Sequence, residues 1–434
     1  MTPNPQIVKS IKQLDYRVTV GEVSAIAGLE INIAQQGLLA LAADAGGHLQ
    51  VAESGDVVYL FPKNFLGILR NKYWQLRWQE WWGKVWKVLF YLIRVSFGIV
   101  LIASIILMLL AIAAIVIAIS SSGRDDDDRG GSFGGGGMIF LPRFWIGPDF
   151  FWWFYPDYNS RRRQRRKTTT DDNQMNFLEA VYSFLFGDGN PNADLEETRY
   201  ATIGQAIQNN DGAVVAEQIA PYVDRTDADE DYMIPVLARF NGYPEVSPEG
   251  EIIYYFPELQ VMANRRQKRA LPNYLQEQLW RFTQANSSQK MLAIGLGGVN
   301  LILALVLGSL LQDPSIAVQL GGLVAFVNSI YGVLVGYGIA FLAIPLIRYF
   351  WIQGRNQKIS TRNQARESRA NILQQASDSL KQKLLFAQQF AQQKVISDRD
   401  LAYTTEDDLL DQNLQNADKI DAQWQQRLES NSSD

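Results

Sequence analysis

The chain of 434 residues has no cysteine and a single histidine, His48. Without cysteine it can form no disulfide, no thiolate metal site and no cysteine-ligated iron–sulfur cluster, and any Ser–His catalytic pair would have to use His48. His48 follows two glycines at the start of an expected strand, which indicates a turn residue. We therefore expect no catalytic residues, no metal site and no cofactor, and a protein that is not an enzyme.

Charge is absent from three long stretches, residues 95–120, 291–312 and 314–347. Each contains the roughly 20 apolar residues that a helix needs to cross a bilayer. They are predicted to be transmembrane spans 1, 2 and 3 of a multi-pass integral membrane protein. Span 1 begins far from Met1 and is too long for a signal-peptide core, so no cleaved targeting peptide is expected.

One phrase occurs twice, as GDVVYLFP at residues 55–62 and as GEIIYYFP at residues 250–257. Subtracting 55 from 250 gives an offset of 195, and the match needs no gap. The same offset places Glu22 on Glu217. The shared hairpin residues are Gly55 and Gly250, Tyr59 and Tyr254, Phe61 and Phe256, and Pro62 and Pro257.

Hydrophobic periodicity and turn residues around each phrase predict helix, turn, helix and hairpin, the order of a winged-helix domain. The fold class expected is α+β, with two winged-helix-like modules, an α-helical transmembrane bundle and a helical C-terminal tail. The modules are assigned to residues 1–62 and 175–258. The first copy is predicted to have helices at 20–27 and 31–43 and strands at 48–52 and 57–61; the second has helices at 214–222 and 229–240 and strands at 245–246 and 251–256.

The charges of the two modules argue against a nucleic-acid partner. The predicted helix at 31–43 has no basic residue, and residues 194–258 contain three arginines against fourteen acids. Binding to a duplex depends on Lys and Arg side chains that neutralise phosphates. Nucleic acid is therefore not expected as a partner, and each module is interpreted as a protein-docking or structural domain.

Two basic linkers, residues 63–94 and 259–290, precede spans 1 and 2, and basic flanks stay on the cytosolic side. Trp74, Trp78 and Trp81 recur at helical spacing in the first linker, which predicts a helix lying in the headgroup region before the chain turns inward. A tryptophan face packed on a neighbouring domain is the alternative. Six further residues are assigned to the cytosolic membrane interface: Arg161, Arg162, Arg163, Arg165, Arg166 and Lys167.

If both modules face the cytosol, the chain must return across the membrane between spans 1 and 2. Residues 121–174 hold a Gly/Asp-rich loop, an aromatic segment at 138–158 and the polybasic stretch. The aromatic segment could re-enter, cross or lie at the interface, or residues 86–120 could form a tight hairpin. Alternatively, span 1 crosses once and the modules lie on opposite sides. The four aspartates at 125–128 are interpreted as solvated rather than as a metal site.

Gly332 and Gly336 form a G-x-x-x-G pair in span 3, which is typical of close helix packing. The contact would be within the bundle or with a partner's helix, and a homo-oligomer formed through these glycines is one alternative. Residues 348–434 are polar, and they are predicted to form a helical tail with a disordered end.

The two hairpin phrases, GGGGMIFLPRFWIGPDFFWWFYPDY (residues 134–158) and MNFLEAVYSFLFGDGNPN (residues 175–192) resemble a family of multi-pass membrane proteins of unsettled role from cyanobacteria and plant chloroplasts. The likeness covers roughly residues 15–350. Some plant members carry a label of iron–sulfur cluster biosynthesis, which a chain without cysteine does not directly support. The resemblance implies a thylakoid, plasma or envelope membrane, and it supplies no active-site residues.

These observations favour a non-enzymatic membrane scaffold, an assembly or maintenance factor of a photosynthetic membrane. It would contact the lipid bilayer and dock partners from a membrane protein complex through its two modules. A transporter or channel component is the first alternative. A membrane-tethered transcriptional regulator is the second.

Overall fold

The computed structural model describes residues 3–72, 74–122, 176–227, 229–265 and 267–406, together with 408, 412, 424 and 425. Within the chain there are two compact units. The first combines Met1–Gly83, Asn190–Leu279 and Asn356–Asp434, and the second combines Lys84–Gly189 and Trp280–Arg355.

The first module belongs to the first unit, and one of its helices has the start and stop signals that the sequence predicts. Thr19 and Glu22 form a capping box, in which the Glu22 amide donates to Thr19 Oγ1 at 3.1 Å and the Thr19 amide donates to Glu22 Oε2 at 3.0 Å. Gly28 ends that helix with a φ of 66°. The elements are α1 (Pro5–Gln13), β1 (Arg17–Thr19), α2 (Val20–Ala27), α3 (Ile31–Ala45), β2 (His48–Ala52) and β3 (Val57–Leu60), followed by α4 (Phe65–Lys72).

The second module has the same order of elements. Its three strands are arranged β4-β6-β5, as β1-β3-β2 are in the first. The hairpin registers agree under the offset of 195, since His48 pairs with Leu60 and Tyr243 with Tyr255. The elements are α7 (Leu195–Asn209), β4 (Ala213–Val214), α8 (Ala216–Ile219), α9 (Ile234–Phe240), β5 (Tyr243–Val246) and β6 (Ile252–Tyr255).

Three details of the predicted repeat are corrected. The amide of Val215 donates to Gln218 Oε1 at 3.0 Å, so Gln218 rather than Glu217 takes the place of Glu22, one residue out of the offset. The helix predicted at 214–222 begins as β4, because Val214 pairs with Tyr254, and it ends in a 3-10 turn that contains Pro221. The second predicted helix is α-helical only from Ile234, since proline fits the first turn alone and Pro235 lies there.

The two modules pack against each other through α2 and α7. Glycines allow the close approach: a Cβ added to Gly204 would lie 2.6 Å from the Ala25 Cα, and one added to Gly28 would lie 2.6 Å from the Ala201 nitrogen. Arg239 of α9 donates to the Gly28 carbonyl at 2.6 Å. The modules therefore form one compact unit.

The tail is helical in part only. After α14 (Asp378–Phe390), β8 (Lys394–Val395) pairs in parallel with β7 (Val261–Met262), which follows α10 (Pro257–Gln260). Strand β9 (Leu401–Thr404) pairs with β2 and extends the first module's sheet to four strands. The sequence missed both tail strands because they are too short to show a period and form only by pairing with a strand already in place.

The second unit contains the apolar helices. Those long and apolar enough to span a membrane, among the residues that the structure describes, lie at Trp81–Ser120, Ser287–Leu310 and Gly322–Gln374. They belong to α5 (Trp74–Ser122), α11 (Ser287–Leu310) and α13 (Gly322–Gln374); α6 (Phe177–Phe186) and α12 (Pro314–Leu320) are shorter.

The helix boundaries correct three predictions about the spans. Helix α5 runs without a break, so residues 86–120 form no hairpin and the chain does not turn between 94 and 95. The stretch predicted as span 3 is divided, because Gly321 and Gly322 have φ values of 54° and 46°. Helix α13 then continues well past residue 347. The aromatic segment at 138–158 lies outside the described residues.

The end of α6 is closed by an arginine. The Arg348 guanidinium donates to the carbonyl of Phe184 at 3.1 Å, in the last turn of the helix, and also to the carbonyl of Phe282 outside the helix. Gly187 leaves room for it, since a Cβ there would lie 2.3 Å from Arg348 Nη2. The neighbouring Asp188 accepts from Ser183 at 2.7 Å.

Candidate docking surfaces

The repeated hairpin residues lie inside the two modules. Tyr59, Phe61, Tyr254 and Phe256 are between 0% and 4% exposed and belong to the module cores. Gly55 and Gly250 adopt φ values of 88° and 87° in the hairpin turns, and Pro62 and Pro257 follow the second strand of each hairpin, β3 and β6. The repeat thus marks the core and turn of the module, and these aromatic side chains do not face a partner.

Burial also raises the pKa values of these tyrosines. Removal from water disfavours the phenolate and raises the pKa of Tyr59. In the second module, burial comes first and the hydrogen bond to Glu230 adds to it, so the pKa of Tyr254 is also raised. Both hydroxyls stay protonated at neutral pH, which fits a structural role.

Helix α3 presents the first module's exposed helical face. Its apolar positions point into the core, and Glu30 rather than a basic residue precedes it. Ile33 and Leu39 are 46% and 43% exposed on the outer side. Amides and small side chains complete that face, which has no basic residue: Asn32, Gln35, Gln36, Ala40 and Ala43. The half-buried Asp44 lies near the C-terminal end of the helix.

The corresponding helix of the second module, α9, is partly engaged within the chain. Arg239 at its C-terminal end donates to the Gly28 carbonyl and lies over the Tyr200 ring, with 3.7 Å from Cζ to the ring centroid. Ile234 at its start is 60% exposed. The two modules therefore present unequal surfaces, although their sequences repeat.

The acidic second module is bound by arginines of the same chain. Arg366 of α13 is fully buried, forms an ion pair with Glu277 at 2.9 Å and donates to Asp224. Arg362 binds both oxygens of Glu277, at 2.7 and 2.6 Å. Burial by itself would raise the pKa of Glu277, but the hydrogen bond from Arg362 and the charge of Arg366 lower it below its usual value.

A second cation, Lys383 of α14, is also buried in this module. Its ammonium lies 2.7 Å from Glu230 and 3.1 Å from Glu217. Burial opposes the charged form, yet the hydrogen bond to Glu230 and the charge of Glu217 outweigh it and raise the pKa of Lys383. A cavity of about 140 Å³ borders Lys383 and Glu217. The sequence analysis missed these internal ion pairs of the second module. The spacing of Arg362, Arg366 and Arg369 at i, i+4 and i+7 does predict one basic face of a helix.

The residues assigned to the membrane interface are described in part. Trp78 and Trp81 are 52% and 50% exposed, and their ring centroids lie 5.2 Å apart on the continuous helix α5. The Trp74 side chain lies outside the described residues, as do Arg161, Arg162, Arg163, Arg165, Arg166 and Lys167. The sequence analysis missed a further aromatic pair, Trp280 and Trp351, with the Arg355 guanidinium 4.6 Å from the Trp280 ring centroid.

The predicted packing glycines do not make the contact between helices inside the bundle. A Cβ added to Gly332 or Gly336 would meet no described atom within 4 Å. The close approach uses Gly297 instead, where a Cβ would lie 2.5 Å from the Phe341 ring. Beside it, the fully buried Asn300 donates to Ser104 Oγ. Within the described part of the chain, the G-x-x-x-G face of α13 is therefore exposed.

Metal ligands do not cluster in the described part of the chain: it holds no group of three or more Asp, Glu or His side chains that could bind an ion. The acidic loop that follows α6 is held by hydrogen bonds to residues 278–284. The Gln284 amide donates to Asp188 Oδ2 at 3.0 Å, and Asn192 Nδ2 donates to the Gln278 carbonyl at 2.8 Å.

No protein-family model and no solved structure matches the chain. It is similar to an uncharacterized chloroplastic protein of Arabidopsis thaliana, At5g03900. The two are 37% identical over 423 residues, which cover 94% of this chain and 79% of the relative. The chain belongs to the same protein family as this chloroplastic protein.

Proposed function

We propose that the chain is a non-enzymatic scaffold of a photosynthetic membrane, which docks partner proteins during assembly or maintenance of a membrane complex. The α3 face carries this proposal. It combines exposed Ile33 and Leu39 with uncharged amides, whereas the equivalent helix α9 is tied to the first module by Arg239. An apolar surface with a polar surround and no basic group fits a protein partner better than a phosphate backbone.

We further propose that both modules are winged-helix domains. Two observations support this. Each module has the element order helix, strand, helix, helix, strand, strand, and the corresponding strands are arranged in the same order, β1-β3-β2 and β4-β6-β5. In that architecture α3 occupies the position of the recognition helix. Its outer face, which has no basic residue, would then contact a protein surface.

The membrane arrangement we propose is multi-pass, with both modules on one side. The three apolar helices and the chloroplastic relative are compatible with a chloroplast membrane protein. Direct packing of α2 on α7 supports a common compartment for the modules, since a bilayer could not separate two touching helices. Residues 123–175, which contain the segment expected to return across the membrane, lie outside the described residues.

The test is quantitative co-purification of the tagged full chain from photosynthetic membranes. We expect one membrane complex to be recovered with the wild type and lost with the Ile33→Asp/Leu39→Asp variant. Val246→Asp, which changes a 59% exposed residue of the second module, is the matched control and should retain the complex. Equal recovery with both variants, or solute flux in liposomes that hold only the purified chain, would contradict the proposal.

A further inference from the structure

The outer edge of β2 is a strand-binding edge that the chain fills with its own tail. β9 lies antiparallel to β2, with Gln50 opposite Thr404 and Val51 opposite Tyr403. The Leu49 carbonyl accepts from the Thr405 amide at 2.9 Å, and the Leu49 amide donates to Thr405 Oγ1 at 2.8 Å. At the other end, the Glu53 amide donates to the Asp400 carbonyl at 2.8 Å.

The same edge in the second module lacks two of its donors. Adding 195 to Leu49 and to Glu53 gives Pro244 and Pro248, so these two amides, which bind the tail in the first module, are missing in the second. Proline is found on edge strands because it blocks further pairing. Among the described residues, β5 pairs with β6 alone.

The side chains of the tail strand make few contacts with a core. Ala402 is exposed and Tyr403 is 39% exposed. Only Leu401 contributes to a core, where it packs beside Val58 and Ile396. Backbone hydrogen bonds and one apolar anchor are the features by which an edge recognises an added peptide strand.

We propose that the β2 edge is an exchangeable docking site for an extended segment of a partner protein, kept closed in cis by residues 401–405. The contacts define the partner's chemistry. It needs an apolar residue to replace Leu401 and, four positions later, a Thr or Ser hydroxyl to accept the Leu49 amide. This surface is separate from the α3 face, so its failure would leave the proposed function standing.

The experiment uses the full chain in detergent and a fluorescent peptide with the sequence of residues 397–406. Tyr403→Pro is the opening variant, because proline disrupts β9 at an exposed position. We expect this variant to bind the peptide at least ~10-fold more tightly than the wild type, since the closed fraction lowers the apparent affinity. A peptide with Val in place of Thr405 should bind more weakly.

Leu49→Pro, added to the opening variant, copies Pro244 and should abolish peptide binding. Hydrogen exchange reports the fold: in the opening variant the amides of Leu49 and Glu53 should lose protection. Those of Ala52 and Phe61, which bond within the module at 2.9 and 2.8 Å, should keep it.

Three outcomes would overturn the proposal. In the first, the opening variant fails to bind the peptide, or binds it equally well after Leu49→Pro. In the second, protection is lost at Ala52 and Phe61, which would make β9 an integral part of the fold. In the third, the wild type forms a dimer that Leu49→Pro dissociates, which would assign the edge to a second copy.

Discussion

Arg366 Nη2 and Glu277 Oε1 lie 2.9 Å apart, and their side chains are 0% and 5% exposed. The pair connects α13 to the segment after the second module, which the sequence describes as a basic linker. Glu277 is the one acid in residues 260–290, and it is buried among arginines that follow it by more than eighty positions. The segment predicted to be a basic linker is therefore held in the fold by its single acidic residue.

Replacing Arg366 with methionine should destabilise the first unit strongly. The change keeps the volume but leaves Asp224 and a buried Glu277 with fewer partners, and removal of one member of a buried pair costs about 3–5 kcal/mol. Thermal unfolding of the purified chain would measure it. Lys358→Met, on an exposed position of the same helix, is the control and should change little. Similar midpoints for the two variants would show that the pair is dispensable.

Acid should weaken this unit through Glu277. The pKa of Glu277 is lowered in the folded state from an ordinary value of 4.5. Its contribution is therefore complete above that ordinary value and is lost as the pH falls through the lowered pKa. We expect Glu277→Gln to flatten the acid limb of the stability profile. An unchanged slope would assign acid sensitivity to other carboxylates.

Lys383 should determine the alkaline limb of the stability profile, opposite to the acid limb that depends on Glu277. Its pKa is raised above 10.5, so its stabilising effect is present below that value and is lost as the pH rises through the raised pKa. Lys383→Met should lower stability at neutral pH and remove the alkaline decline. Lys381→Met is the matched control, since Lys381 lies two residues earlier on the same helix, is 61% exposed and pairs with Asp378, itself 96% exposed. An alkaline decline in Lys383→Met equal to that of the wild type would contradict this assignment.

The sequence predicted those parts of the fold that depend on local signals. The capping residues Thr19 and Glu22, the break at Gly28 and the repeated hairpin all produce elements near the expected positions. Local patterns also located the three apolar helices. Local patterns did not predict contacts between distant parts of the chain, because hydrophobic periodicity does not identify the surface against which a helix face packs.

The candidate surfaces illustrate the same division. Tyr59 and Phe61 repeat for reasons of packing, so repetition led to the core rather than to a docking site. The sequence did show that α3 has no basic residue. It did not show the pairing of β9 with β2, since a four-residue strand carries little signal and its partner lies some 350 positions away.

The glycines of the long apolar helices should differ in their tolerance of a side chain. Gly332→Ile and Gly336→Ile place methyl groups where no described atom lies within 4 Å, so the unfolding midpoint of the monomer should hold. Gly297→Ile would collide with Phe341 and should lower the midpoint, because overpacking costs about 1–3 kcal/mol. Loss of a dimer on Gly332→Ile, seen by light scattering, would support a partner helix on that face.

The packing of the modules on each other should depend on Gly204. A Cβ there would lie 2.6 Å from the Ala25 Cα and 2.9 Å from its carbonyl oxygen, and backbone atoms cannot move aside as a side chain can. We expect Gly204→Ala to separate α2 from α7 at a cost of about 1–3 kcal/mol, even though alanine favours a helix. Hydrogen exchange would locate the loss in these two helices. Gly67→Ala, in α4 with no described neighbour within 4 Å, should instead gain about 0.5–1 kcal/mol from helix propensity. Equal gains in both variants would mean that the two modules are not in contact.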